Sequence, residues 1–265
     1  MENQIWRDIQ LIREDAPLVL NITNHVVMNT TANALLAIGA SPVMAHAIEE
    51  IEEMVALAKA LVINIGTLSS PWIMAMFKAG KEARRRNIPI VLDPVGCGAT
   101  RFRMTTVLQL IREIQPTIIR GNASEIRSLA LSGPGGKGVD SQHTPDEVSE
   151  DARALSRSAG CVVSVSGPVD LVVQGDDSVR IANGHPLMTK VTGMGCTASA
   201  ITGAFVAINP SPFQAAAHGM AIMGISGEIA AGHSAGPGSF QSNFLDALYG
   251  LQEADIVQHL KMQSL

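Results

Sequence analysis

The chain has 265 residues, 46% apolar and 16% charged, enough apolar surface to bury a core against its ordering entropy, which excludes a disordered chain and a disulfide mini-protein. A net charge of −5 with 3% aromatic residues serves neither phosphate neutralisation nor base stacking, so nucleic acid is excluded as a partner while a small anion met by one local arginine is not. Cys97, Cys161 and Cys196 form no CxxC pair and leave one unpaired under any disulfide scheme, which points to a reducing cytoplasm.

The first residues, MENQIWRD, mix charge signs, lack the apolar run of a secretory signal and read as a helix. Apolar runs rich in β-branched residues follow at Leu18 to Ile22, Leu61 to Ile65, Ile88 to Asp93, Thr117 to Ile119 and Cys161 to Ser166, each a buried strand. Helix-length segments with apolar spacing of three and four lie between them: Val26 to Ile38, Pro71 to Arg86, Thr105 to Ile114 and Pro145 to Ala159. That alternation predicts a mainly parallel sheet with crossover helices. Pro71 suits a first helical turn, and Arg84, Arg85 and Arg86 suit a helix C-terminus.

From Asp170 the pattern changes. Leu171 to Gln174 and Val179 to Ala182 flank the turn composition Gly175-Asp176-Asp177-Ser178, which predicts a late antiparallel hairpin. From Gly195 onward the chain reads as mainly helical, interrupted at Ser234 to Pro237. No Asp, Glu, Lys or Arg occurs between Lys190 and Glu228, but Asn209-Pro210-Ser211-Pro212 divides that stretch and Gln214 and His218 dilute it below the run of about 18 apolar residues a membrane span needs. Two buried helices fit it better. Ser132 to Gly138 is a loop too short to separate two cores, so residues 1–265 read as a single α/β domain.

Ligands of open α/β sheets sit beyond the C-terminal ends of the strands. Polar and glycine-rich residues fall at those ends here: Asn21 to Asn24, Asn64 to Thr67, Asp93 to Gly96, Arg120 to Glu125 and Ser166 to Asp170. The sharpest segment is Lys190-Val-Thr-Gly-Met-Gly-Cys-Thr-Ala-Ser, a glycine turn feeding a helix, whose amides and N-terminal dipole suit a phosphoryl group. It is neither a Walker loop nor a Rossmann fingerprint. A tight helix start with glycines for packing fits the same residues. Asp93 and Glu125 suit Mg²⁺, directly or through water, and equally an N-cap and a first-turn acid. Arg120 at the end of an apolar strand needs a carboxylate or phosphate partner. His25, His46, His185 and His233 show no zinc spacing and read as capping or solvated.

The blocks NITN (21–24), TAN-LLA-GASPVM (31–44), NIGTL (64–68), DPVGCGAT (93–100), RGNASEI (120–126), KGVD (137–140), LMTKVTGMGC (187–196) and GPGSF (236–240) together resemble the hydroxyethylthiazole kinases, members of the ribokinase-like superfamily, over nearly the whole chain. The resemblance implies a ribokinase-like fold and ATP-dependent phosphorylation of the alcohol of 4-methyl-5-(2-hydroxyethyl)thiazole in thiamine salvage. It also implies Met44, Gly193 and Asn24 at the thiazole, and Arg120 and Ser166 at ATP. Asp93 and Glu125 match Mg²⁺-linked acids, while Cys196, with Gly193 and Gly195, occupies the catalytic turn where related sugar kinases carry an Asp base. A homotrimer with active sites between subunits is implied as well, placing Met44 across an interface. Ser166 stands where Thr is commoner, and Pro168 where Glu is usual.

From its place at a helix N-terminus, Cys196 is expected to have a thiol pKa lowered from about 8.5. A thiolate there would repel a γ-phosphate, so Cys196 is read as orienting the alcohol or as a modest base, with amides, Arg120 and Mg²⁺ supplying most of the rate. The alternatives are another small-alcohol kinase of this fold, for a pyrimidine or vitamin B6 compound, a catalytically silent nucleotide-binding regulator, and a trimeric scaffold.

Overall fold

The computed structural model describes residues 2–132 and 145–264; the KGVD block and most of the Ser132 to Gly138 loop lie outside them. Strands β1 (Leu18–Ile22), β2 (Ser41–Met44), β3 (Ala60–Asn64), β4 (Ile90–Asp93), β5 (Ile118–Asn122), β6 (Val162–Ser166), β7 (Asp170–Gln174), β8 (Asp177–Ile181) and β9 (Met262–Ser264) form one sheet in the order β2-β1-β3-β4-β5-β6-β7-β8-β9. Pairings from β2 through β6 are parallel and those from β6 to β9 antiparallel. The mainly parallel sheet and the late hairpin expected from sequence are both present.

Helices α1 (Glu2–Asp15), α2 (Met28–Ile38), α8 (Met194–Val206), α9 (Pro212–Gly232), α10 (Pro237–Gly250) and α11 (Glu253–His259) contribute to the core on one face. On the other face lie α3 (Ile51–Leu57), α4 (Ser70–Arg85), α5 (Arg101–Ile114), α6 (Ala123–Ser132) and α7 (Pro145–Ala159). A short 3₁₀ helix, Pro186–Lys190, precedes α8. Side chains alternate across each central strand: Val19, Val62, Val91, Ile118 and Val162 join the first core, while Leu20, Leu61, Leu92, Ile119 and Val163 join the second. Burial on both faces is why these strands read as continuous apolar runs.

The uncharged stretch forms α8 and α9, and no helix among the described residues is long and apolar enough to cross a membrane. Its one histidine has a specific partner: His218 Nδ1 lies 2.6 Å from Asp8 Oδ2, which also accepts from Asn209 Nδ2 at 2.7 Å, so α1 and α9 are tied inside the core. The helical reading of the C-terminal part stops short of the end, where β9 pairs with β8 instead. The edge strand β2 and the short helix α3 were not legible as elements, since Pro42 interrupts the first and the second has only two turns. Strand β5 runs on to Asn122, so Arg120 stands inside the strand.

Small residues set how closely α8 lies on the sheet. A Cβ on Gly203 would come within 2.6 Å of Val62 Cγ2 and 3.2 Å of Val19 Cγ1, both on stiff β-branched side chains. We expect Gly203→Ala to destabilise the protein by about 1–3 kcal/mol in urea unfolding. An unchanged midpoint would contradict this close packing.

Candidate active site

The chain leaves β1 for β2 on one side and returns to β3 on the other, so the strand order reverses between β1 and β3. A crevice opens beyond the C-terminal ends of strands at such a point. Asn24, just beyond β1, spans it: its Nδ2 donates to Asn64 Oδ1 at 2.9 Å and to Cys196 Sγ at 3.4 Å. Asn64 Nδ2 donates in turn to Asp93 Oδ2 at 2.9 Å, and Ser199 Oγ donates to the same oxygen at 2.7 Å. A continuous chain of side chains therefore links the thiol at the start of α8 to the carboxylate ending β4. Gly66 is required beside it, because a Cβ there would meet the Asn24 amide at 2.6 Å.

Gly193 is the N-cap residue of helix α8; its φ of +85° is left-handed, and its missing side chain leaves the first amides of the helix uncapped. A Cβ at Gly193 would strike Val27 Cγ1 at 2.8 Å. The opening amides of a helix have no intrahelical acceptor and carry the positive end of the dipole, so this turn has the chemistry to receive an anion. Arg120 completes it: buried at 5% exposure, it donates from Nη1 to Gly195 O at 2.9 Å, and its Nε has no partner. A Cβ on Gly195 would lie 3.0 Å from Arg120 Nη1, so glycine permits the contact.

The local field contradicts the expected thiolate. Burial and the neighbouring Asp93 carboxylate push the Cys196 thiol up to about 11, outweighing the donors Asn64 and Asn24 and the charge of Arg120. Cys196 is a neutral thiol at physiological pH, because desolvation exceeds the helix-end effect. Burial also pushes Asp93 up to about 6, with Arg120 and the Ser199 hydrogen bond opposing it.

Glu125 lies beside Asp93, but both of its oxygens are engaged: Oε1 accepts from Gly96 N and Oε2 from Asn122 N, each at 2.8 Å. Asn122 Oδ1 reciprocates by accepting from Glu125 N at 3.0 Å, which makes a capping box at the start of α6. Among the described residues no group of three or more His, Cys, Asp or Glu is arranged to hold a metal. This pair fits a cation that keeps most of its waters and phosphate ligands, as Mg²⁺ does, rather than an all-protein cage.

On the far side of Arg120 lies a cleft of about 610 Å³, lined among others by Arg120, Ser166, Asp170, Asn183, Met188 and Gly195. Asp170, at the mouth of β7, accepts from Gly167 N through Oδ1 at 2.9 Å and holds the Ser166 turn. Ser166 Oγ lies 3.4 Å from Gly121 O. Asn24, Asp93, Arg120, Gly195 and Cys196 are thus brought together, with Gly193 opening the turn, Glu125 bracing the β4 and β5 ends, and Ser166 on the cleft. Met44 stands apart, half-buried at the end of the edge strand β2, where it pairs in register with Asn21.

Sequence reasoning placed Asn64 and Asp170 on the rim, and Ser199 at the end of the 190 to 199 segment, without a role, and missed Arg103. Ser199 lies one helical turn beyond Cys196, a spacing that could have signalled it. Arg103 donates from Nη1 to Ile65 O at 2.9 Å and Val95 O at 2.6 Å, and from Nη2 to Gly66 O at 2.6 Å, so it staples the loops that carry Asn64 and Asp93. Nothing in its neighbourhood in sequence marks it.

Residues 9–254 match the model of the hydroxyethylthiazole kinase family. A hydroxyethylthiazole kinase of Nitratidesulfovibrio vulgaris is 56% identical over 252 residues, covering 95% of this chain and 94% of that one. One of Syntrophus aciditrophicus is 55% identical, covering 97% and 96%. The solved hydroxyethylthiazole kinase from Pyrococcus horikoshii superposes with a TM-score of 0.92 at 43% identity, covering 99% of both chains. The pyridoxal kinase of Staphylococcus aureus, at 15% identity and a TM-score of 0.65 over 94% of this chain and 98% of that one, shares the ribokinase-like fold.

Burial raises the Asp170 carboxyl from 3.8 to about 6. A folded pKa above the unfolded one means that the native state gains stability as pH falls from about 6 towards 4 and loses it as pH rises again. Asp170→Asn keeps an acceptor for Gly167 N but cannot take up that proton. In thermal melts at pH 8 and pH 4.5, wild type relative to the variant should gain on the order of 2 kcal/mol at the lower pH. A difference independent of pH would contradict a charged, buried Asp170.

Proposed function

The chain belongs to the hydroxyethylthiazole kinase family, and from that premise we infer that it transfers the γ-phosphoryl group of ATP to the hydroxyl of 4-methyl-5-(2-hydroxyethyl)thiazole. The observation that carries the reading is the junction of Arg120, its Nε unpartnered, with the uncapped start of α8, between a cleft on one side and the Asn24–Cys196 contact on the other. In this reading ATP occupies the cleft along Arg120 and Ser166, and its γ-phosphate meets the amides of residues 194 to 196. The alcohol lies against Asn24 and Gly193, with its oxygen at Cys196.

The alcohol oxygen bonds to the γ-phosphorus, the bond to the bridging oxygen breaks, ADP leaves, and the hydroxyl proton passes to solvent water as the ester forms. Transfer through a loose transition state asks for charge placement more than for a strong base. Arg120 and the α8 amides neutralise charge on the transferred group. Cys196, a protonated thiol held by Asn24, orients the hydroxyl instead of abstracting its proton as a thiolate. Asp93 and Glu125 would hold Mg²⁺ through water, and the cation would supply further neutralisation of the phosphates.

The remaining parts of the reading concern assembly. The four residues of β2 are half-buried in the isolated chain and Leu36 on α2 is 59% exposed, which suits burial of this edge in a homotrimer with Met44 completing a neighbour's thiazole site. The single nine-stranded sheet supports one domain over the whole chain. Three cysteines free of disulfides suit the cytoplasm.

The test is ADP release by the purified protein with Mg²⁺ and ATP, with and without the thiazole alcohol, with hydroxymethylpyrimidine and pyridoxal as competitors. Thiazole-dependent ADP with a phosphorylated thiazole product is expected; turnover only with another alcohol would overturn the substrate, and bound ATP without turnover would favour a regulator. Light scattering on the same sample should give three chains, and a single chain would overturn the trimer. Cys196→Ser should keep its fold and lose less than about three orders of magnitude in kcat, or ~4 kcal/mol. A greater loss would make Cys196 the essential proton acceptor.

A further inference from the structure

One half-buried carboxylate has no part in that scheme. Glu228 lies near the end of α9 with a side chain 14% exposed, outside the cleft lining, yet both of its oxygens have partners. Its Oε1 accepts from Asn183 Nδ2 at 3.1 Å, Gly184 N at 2.9 Å and Lys261 Nζ at 3.0 Å, and Oε2 lies 3.6 Å from His259 Nδ1. Burial alone would raise its pKa, but these donors outweigh it and hold the carboxyl below its ordinary value.

Asn183 and Gly184 are cleft residues, and they open the wall that continues through Pro186 and Met188 towards the 191 to 193 turn. The face of α9 beneath this wall is bare for one turn. A Cβ on Gly224 would sit 2.5 Å from Asn183 Cβ, and one on Gly227 would sit 2.5 Å from Met188 Sδ. The two glycines let the wall lie on the helix, and Glu228, the next residue, fastens it. Asn183 extends the fastening to the end of the chain: its Nδ2 donates to His259 O at 2.7 Å and its Oδ1 accepts from Lys261 N at 2.8 Å. Ala182 N donates to Lys261 O at 2.8 Å.

We propose that Glu228 is a positioning residue for the nucleotide, and that through Asn183 and Lys261 it makes the C-terminal segment at β9 a structural part of the ATP site. This rests on the reading that the cleft holds ATP. A cleft wall out of register by a fraction of an ångström weakens every contact a nucleotide makes along it, while the thiazole side, built on Asn24, Asn64 and Cys196, does not share these struts. The consequence is a selective one: loss of Glu228 acts on ATP binding and leaves the alcohol's binding and the chemical step alone.

The experiment is steady-state kinetics on the full chain, with KM for Mg²⁺-ATP and for the thiazole alcohol measured separately for Glu228→Ala, Glu228→Gln and Arg120→Lys. Glu228→Ala should raise KM for ATP about tenfold or more, with KM for the alcohol within about twofold and kcat within about threefold of wild type. Glu228→Gln keeps an acceptor for Gly184 N and should recover part of that loss. An unmoved KM for ATP, or equal damage to both KM values and kcat, would overturn the proposal. A raised KM for ATP in Arg120→Lys but not in Glu228→Ala would sink this inference alone, whereas no effect of either would sink the nucleotide assignment of the cleft. Should Glu228→Ala fail to fold, Lys261→Met, which removes one strut at a side chain 56% exposed, carries the same test with an expected rise of about two- to fivefold.

Discussion

Asp93 ends β4 with a carboxylate only 1% exposed, and its charge is tolerated there because Asn64 and Ser199 donate to one of its oxygens while Arg120 lies opposite. That arrangement dictates much of the rest. Asn64 must present its amide to Asp93 and its carbonyl to Asn24, and Asn24 then has a second N–H to offer Cys196. Ser199 must face the sheet, which fixes the rotation of α8, and with it the position of Cys196 one turn earlier. The loops carrying these groups are in turn pinned by Arg103 on three carbonyls and by Glu125 on two amides.

The same carboxylate explains why the thiol is neutral. A helix N-terminus favours an anion, but a buried position a short distance from Asp93 does not, and burial with like-charge repulsion prevails. The positive field of the turn is thereby not spent on a thiolate. Two sets of supports then meet at α8: amides on the β1 and β3 side, and on the other side a cleft whose wall rests on α9 and the chain's end. The two sets share no side chain: Asn24, Asn64 and Ser199 stand on one side, Asn183 and Glu228 on the other.

The sequence was most informative where physics leaves little choice. Strands buried on both faces must be apolar, so β1, β3, β4 and β6 stood out as β-branched runs, and the glycines of the 190 to 196 segment stood out because Gly193 has a left-handed φ and Gly195 lets Arg120 approach closely. Elements stabilised chiefly by their partners were opaque. Strand β9 exists because β8 offers an open edge, and β2 forms alongside β1 despite Pro42. At the site, Asp93, Arg120 and Cys196 could be singled out because their chemistry is costly where it stands, but which groups their neighbours would pair with could not. Arg103, Ser199 and Glu228 act mostly on groups tens of residues away, and the pKa of Cys196 was misjudged because the helix end is local in sequence whereas Asp93 is not.

The central claim is that charge placement, and not a thiolate base, prepares this site. It is tested most directly by the pH dependence of Cys196 alkylation by a small neutral reagent, followed at the peptide level so that Cys97 and Cys161 do not contribute. The account predicts a rate that climbs steadily with pH and has not levelled off by pH 10, in keeping with a thiol pushed up to about 11. A rate that reaches its plateau by about pH 8, at or below the ordinary thiol pKa, would mean that the helix terminus and Arg120 outweigh burial and Asp93, and would contradict it.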